Sequence, residues 1–287
     1  MEQASVVEFF FRRRWPNGFS CPTCGNGTYY TIRTRQLPLY ECRRCGRQTS
    51  VTAGTVMDKT RTPLAKWAAA IELLSSTEGV NAKQLGAAIG VKHKTAWLML
   101  SKFRQAIGAA EDAMKLQGTV HMGLHILAPN YIYIFLPHRH YRCERVVAVA
   151  ASIGSNGSPT ALKLSLVDKA LLIPRFKEPT AYGMARIIAE HAREDAATTW
   201  LDANRMHISP LRECLLEARS WINRLFCGIG TKNLQRYLDE FCFRWNVSAR
   251  GASIRDVWYD LCCKSGSRKA AASPDREPAA ESARLAA

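Results

Sequence analysis

The sequence predicts an α+β chain of several domains, and three observations carry that prediction. Four cysteines near the start stand as two Cys-x-x-Cys pairs, Cys21/Cys24 and Cys42/Cys45. Between Asn81 and Ile107 a short helical pattern, a glycine and a longer basic helical pattern follow one another. From residue 118 the chain turns to apolar β-branched runs and then to amphipathic helices, the pattern of a layered domain of sheet and helices.

The cysteine pairs are separated by seventeen residues. That spacing lets two tight turns place four thiolates at the corners of a tetrahedron around one Zn²⁺. Gly25 and Gly46 follow the pairs and supply the backbone freedom that such knuckles need. Tyr29 to Arg33 and Leu39 to Glu41, between the pairs, have the β-branched and aromatic character of a hairpin. The reading is a zinc ribbon with Cys21, Cys24, Cys42 and Cys45 as ligands; two disulfides or unrelated buried cysteines are the alternative.

The chain has 287 residues, 47% of them hydrophobic, and a formal charge of +16. This is enough for a real core and points to a polyanionic partner, of which nucleic acid is the commonest. The charge is uneven: residues 1–107 hold 16 Lys+Arg against 6 Asp+Glu, residues 108–287 hold 24 against 18. The other cysteines (Cys143, Cys214, Cys227, Cys242, Cys262 and Cys263) show no framework spacing and read as reduced thiols. Neither a signal peptide nor an apolar run of membrane-spanning length is visible, so a soluble intracellular protein without a membrane partner is expected.

Element by element, Val6 to Arg13 reads as a short helix, ended by Trp15-Pro-Asn-Gly18. Val51 to Thr55 reads as a strand or turn. Thr60 or Thr62 is expected to cap a helix with Pro63 in its first turn. Asn81 is expected to cap a helix to Ala88, with Gly90 making the turn into a second helix from about Lys94 to Ile107. That second helix is expected to bury Ala96, Leu98 or Met99, Phe103 and Ile107. Short helix, glycine turn and longer basic helix make a helix-turn-helix pattern. Lys92, His93, Lys94 and Thr95 would open the second helix, where side chains reach base edges, with Lys102 and Arg104 further along for phosphates. An ordinary helical hairpin with a solvated basic face is the alternative.

Beyond a helical linker, strands are expected at 118–122, 131–135, 145–150 and 161–167, with Asn156-Gly157 as a turn. A helix at 180–193, a strand at 198–201 and helices at 210–226 and 233–246 complete the pattern. The Ala/Ser/Pro-rich tail 264–287 reads as disordered. The expected division is therefore 1–56, 57–107, 118–263 and 264–287.

This order of modules resembles the zinc-ribbon bacterial insertion-sequence transposases of the DDE superfamily. The resemblance is carried by Trp15-Pro-x-Gly-Phe-x-Cys-Pro-x-Cys-Gly25, Tyr40-x-Cys-x-x-Cys45 and Gln48-Thr-Ser-Val-Thr-Ala-Gly-Thr55. Leu85-Gly-x-x-Ile-Gly-Val-x-x-Lys-Thr-Ala-Trp97 and Leu234-Gln-Arg-Tyr-Leu-Asp-Glu-Phe-Cys-Phe-Arg-Trp-Asn246 extend it. It implies an RNase H-like domain over 118–263, binding of double-stranded transposon-end DNA, homo-oligomers and a cytoplasmic, nucleoid-associated place in a bacterium. It also implies strand transfer by two Mg²⁺ ions held by three carboxylates.

The residues depart from that last implication. Gly123 stands where the first carboxylate belongs, and His121 or His125 would be poor ligands for Mg²⁺. Asp202 matches the second carboxylate, with a helix cap as its alternative role. Glu213 and Glu217, one helical turn apart, are the candidates for the third, with a plain surface helix as the alternative. The reading is a transposase-family DNA-binding protein, catalytically impaired, that needs Mg²⁺ only if activity survives. An active metal-dependent transposase and a transcription regulator on the same scaffold are the alternatives. His138-x-His140-x-x-Cys143 reads as a basic loop, while Arg142, Arg145, Lys163 and Lys169 are candidates for a phosphate-facing surface.

Overall fold

The computed structural model describes residues 3–35, 37–127, 145–174, 176–226, 229 and 233–263. The expected strand at 131–135, the His138–Cys143 cluster, Arg142, Cys227 and the tail lie outside the described residues. Cys214, Cys242, Cys262 and Cys263 are buried free thiols.

The N-terminal region is zinc-ribbon-like. Helix α1 (Gln3–Arg14) leads into a small antiparallel sheet of β1 (Tyr29–Ile32), β2 (Leu39–Cys42) and β3 (Gln48–Thr49). An aromatic box holds the helix to the sheet: Phe11 meets Trp15 and Tyr40 with ring centroids 4.9 Å apart, and Phe19 meets Tyr29 at 4.8 Å. Residues 51–59 are a series of turns, tied to α1 by Arg14, whose Nη1 donates to the Ser50 and Val51 carbonyls at 2.9 Å.

Three helices follow: α2 (Leu64–Leu74), α3 (Ala82–Ile89) and α4 (His93–Ala113). Pro63 itself stands at the N-cap of α2, while Thr60 Oγ1 accepts from Trp67 Nε1 at 3.0 Å. Asn81 caps α3 as expected, in a reciprocal capping box with Gln84. Gly90, at φ 63°, makes the left-handed turn to α4. Helix α4 runs past the expected end to Ala113 and absorbs the first part of the linker, while residues 114–117 are not helical. Leu64, Trp67, Ile71, Leu85, Leu100, Phe103 and Ile107 meet in the core of this part.

The sheet of the second half has strand order β6-β5-β4-β7. Strands β4 (Thr119–Leu127), β5 (Arg145–Ile153) and β6 (Pro159–Leu166) are antiparallel neighbours, and β7 (Ala197–Leu201) runs parallel to β4. One face packs on α7 (Pro210–Phe226) and α8 (Leu234–Ala249), the other around Ala192 beyond α5 (Ala181–His191). A single turn of helix, α6 (Ala203–His207), follows β7.

Helix α8 closes the open edge of β6 with two side-chain amides. Asn246 accepts from the Leu162 N–H at 2.7 Å and donates to the Leu162 carbonyl at 2.9 Å. Gln235 accepts from the Leu166 N–H at 2.7 Å and donates to the Leu164 carbonyl at 3.0 Å. These amides take the place of a further strand, so the edge is not left unpaired.

The two halves interlock. Helix α9 (Ile254–Cys263), which follows the expected helices and was not foreseen, returns to the N-terminal helices: Trp258, Tyr259, Cys262 and Cys263 are buried in their core. Tyr259 donates to Glu72 Oε1 at 2.8 Å, and Arg13 pairs with Asp256 and Asp260. Between α4 and α8, the fully buried Glu240 accepts from Arg104 Nε at 2.7 Å and Arg244 Nη2 at 3.0 Å. Burial raises the Glu240 carboxyl, but the two guanidiniums outweigh it and hold it below its ordinary value.

A second buried cluster joins the far end of α4 to the sheet. Lys163, on β6, donates to the carbonyls of Glu111 (3.0 Å), Met114 (2.8 Å) and Glu190 (3.5 Å), capping the C-terminal ends of α4 and α5 together. This removes Lys163 from the phosphate-facing surface that the sequence suggested. Beside it, burial and then the Asp239 charge push Glu111 up to about 7. Burial pushes Asp239 up to about 6, against the Gln235 hydrogen bond.

These two carboxyls keep protons in the folded protein that the unfolded chain has released. Their contribution to stability is therefore present below the ordinary carboxyl range and is lost as pH rises through about 6 and about 7. Glu111→Gln is expected to raise stability more at pH 8 than at pH 5, by about 2 kcal/mol. Urea unfolding of both proteins at the two pH values measures this, and an equal effect at both would refute it.

Candidate functional site

The four ribbon cysteines converge as their spacing suggests. All four sulfurs lie within 4.8 Å of one another, with Cys21–Cys45 and Cys24–Cys42 at 3.6 Å and Cys24–Cys45 at 3.5 Å. Sulfurs at the corners of a tetrahedron with Zn–S bonds of about 2.3 Å stand about 3.8 Å apart, so the donor set fits zinc. Each knuckle is closed by the same turn. Gly25 N–H reaches the Cys21 carbonyl and Gly46 N–H the Cys42 carbonyl, both at 2.9 Å, with φ at 71° and 68°.

Electrostatics call for a cation here. Burial resists ionisation of Cys42, but the N–H groups of Cys45 and Arg44, with Asn26 and Cys24, bring it down to about 6. At Cys45 the Arg47 N–H favours the thiolate. The Cys24 sulfur, burial and the other two sulfurs outweigh it and push that thiol up to about 12. Negative charge thus enters the cluster readily and accumulates with difficulty, which a bound dication relieves.

The basic residues at the second helix separate into two groups. Lys92, His93 and Lys94 are exposed at the start of α4, and Thr95 is half-buried beside them. Lys92 holds the N-cap position without a side-chain cap bond. The turn before it is rigid: Lys66 Nζ donates to the Gly90 carbonyl at 2.7 Å, and a Cβ on Gly86 would lie 3.0 Å from the Val91 carbonyl oxygen. Further along, Lys102 donates to the Asp58 carbonyl at 2.7 Å, and burial lowers its pKa. Arg104 faces inward, 5% exposed, paired with Glu240 and lying 4.2 Å over the Tyr237 ring. Arg104 is therefore not a surface phosphate ligand in this structure. Of the alternatives Leu98 and Met99, Met99 is buried, while Leu98 faces solvent with Trp97.

The expected carboxylates do not converge. Gly123 is buried, paired with Leu201 of β7 and Val149 of β5. A Cβ built on it would meet the Leu201 carbonyl oxygen at 2.8 Å and Met206 Sδ at 3.3 Å. Asp202 is the N-cap of α6, its Oδ1 accepting from the Arg205 N–H at 2.8 Å. Glu213 and Glu217 lie on the exposed side of α7, opposite the buried line of Leu211, Cys214, Leu215 and Ala218. Among the described residues the cysteines form a metal-binding cluster; Asp202, Glu213 and Glu217 do not.

A cavity of about 450 Å³ opens beyond the ends of β4 and β7, lined by His125, Phe176, Met184, Asp202 and His207 among others. Burial lowers the His125 pKa, and the positive charges of Arg212, Arg219 and His207 lower it further. The carboxylates of this lining, Asp202 and Glu178, stand beside the imidazoles of His125 and His207, and among the described residues they belong to no metal-binding cluster.

A family described as a transposase zinc-ribbon domain matches residues 1–48. The match supports a transposase. No curated protein and no solved structure matches the chain. None of the described helices is long and apolar enough to cross a membrane.

Cys21→Ser is expected to lower zinc content well below one per chain and to melt the N-terminal region, because structural zinc supplies folding energy directly. Metal analysis and circular dichroism measure both effects; undiminished zinc would contradict the assignment. Gly123→Asp is expected to destabilise the protein by about 1–3 kcal/mol, because the backbone of β7 occupies the new side chain's space. A denaturation midpoint equal to or above that of the parent would show that the site accepts a carboxylate.

Proposed function

We propose that this chain is a transposase-family protein that recognises transposon-end DNA and whose strand-transfer chemistry is lost or weakened. The observation that carries the reading is the transposase zinc-ribbon match over residues 1–48. On this reading α3, the Gly90 turn and α4 form a helix-turn-helix, with Lys92, His93, Lys94 and Thr95 presented to the major groove. The exposed start of α4, with its uncapped N–H groups and two lysines, suits phosphate oxygens. Lys102, half-buried and bonded to the Asp58 carbonyl, flanks this surface.

The sheet half is RNase H-like on this proposal. Three antiparallel strands, with a fourth parallel to the first, support that reading. The ends of β4 and β7 then mark the place where the metal pair would sit. Gly123, the capping role of Asp202 and the outward Glu213 and Glu217 support impairment, since among the described residues no carboxylate triad assembles there.

The test is DNA binding and strand cleavage by the purified chain, with Mg²⁺ or Mn²⁺ and duplexes carrying the terminal repeats that flank the gene. Binding without nicking is expected. Metal-dependent nicking abolished by Asp202→Ala would overturn the loss of chemistry. Lys94→Ala is expected to weaken binding and to reduce the salt slope by about one. Unchanged affinity and slope would remove α4 from the interface.

A further inference from the structure

Helix α4 is amphipathic along most of its length, but its outer face breaks the pattern. The inner line of Ala96, Met99, Leu100, Phe103 and Ile107 is between 0% and 2% exposed. Trp97 and Leu98, side by side in the second turn, are 46% and 49% exposed. One turn earlier on the same stripe stand the exposed His93 and Lys94, since residues four apart share a helix face. Two large apolar side chains are thus held in water at the end of the helix that also carries the free cations.

The cations decide which occupant covers the pair. A second copy of this face would bring Lys92 and Lys94 against their own counterparts, and like charges brought together oppose such a contact. An apolar protein groove leaves the lysines unanswered. The major groove of DNA answers both features: phosphates along its rims and, on its floor, the 5-methyl groups of thymine, the apolar element of its base code. The frame is rigid enough to read with, because Lys66 pins the preceding turn and Gly86 allows α3 to approach the start of α4 closely.

We propose that Trp97 and Leu98 are specificity-determining residues that contact thymine 5-methyl groups in the major groove, with Lys92 and Lys94 on the flanking phosphates. The inference rests on the DNA-binding reading above and adds to it the chemical feature that is read.

The experiment compares two versions of one duplex, amplified from the terminal repeat flanking the gene with either dTTP or dUTP. Uracil lacks only the 5-methyl group and keeps every phosphate and pairing edge. The parent protein is expected to bind the uracil duplex about fourfold more weakly for each methyl contacted. Trp97→Ala combined with Leu98→Ala is expected to weaken binding to the thymine duplex and to abolish the difference between the two. Lys94→Ala is expected to weaken both and to keep their ratio. Equal affinity of the parent for the two duplexes overturns the proposal, as does a ratio that survives loss of both apolar side chains. A double variant that changes sedimentation but not DNA affinity also overturns it, by making the pair a contact between copies. If Lys94→Ala leaves binding to both duplexes unchanged, the underlying assignment of α4 to DNA fails instead. Because both residues are exposed, the double variant is expected to keep the parent's thermal midpoint, which confirms that binding is measured on folded protein.

Discussion

The buried triad of Arg104, Glu240 and Arg244 fixes how the two halves of the chain meet. One carboxylate between two guanidiniums, all at most 8% exposed at their side chains, is a net positive cluster without solvent. Each guanidinium meets the carboxylate, although Arg104 Nη2 has no hydrogen-bond partner of its own. Glu240 receives bonds from both sides, Arg244 also reaches the Ser76 carbonyl at 2.9 Å, and Arg104 lies over the Tyr237 and Phe226 rings. Breaking such a buried group by removing one member typically costs about 3–5 kcal/mol, more than a surface pair contributes. Helix α4 enters the sheet half through this joint, so the exposed start of α4 and the strands beyond its end have a set relation.

The far end of α4 is held by a different device. Lys163 meets the carbonyl ends of α4 and α5, and it projects from the same strand whose edge Asn246 and Gln235 complete. Strand β6 is therefore fastened on its face and along its edge by polar groups from three helices. Its hydrogen bonds account for positions that hydrophobic pattern alone leaves unspecified.

Features governed by near neighbours in sequence were the legible ones. The cysteine knuckles, the Asn81 cap, the Gly90 turn and the helix 210–226 are set within a few residues, and local chemistry suffices to read them. Arg104 was misread because an arginine at that position on a basic helix looks the same whether it faces solvent or an acidic partner. Its partner Glu240 lies 136 residues further on, and nothing local announces it. Helix α9 was missed for a related reason: its apolar face is matched by α1 and α2, elements at the other end of the chain. The absence of a carboxylate at Gly123 was visible, but its steric cause was not, because the Leu201 carbonyl arrives from a strand about 80 residues later. The exposed Trp97 was likewise hidden, since sequence shows an apolar side chain but not which way a rigid helix turns it.

Helix α9 has a consequence for how the protein is made. Its Trp258 is fully buried against Phe103 and Phe243, so the core beneath α1, α2 and α4 is incomplete until residue 258 has been added. A ribosome adds roughly 5–20 residues per second, and residue 258 follows the end of α4 by well over a hundred residues. During that interval the nascent chain can hold zinc and wind its first helices. It cannot close the socket into which the tryptophan fits, so the N-terminal half reaches its finished packing only after residue 258 has been added.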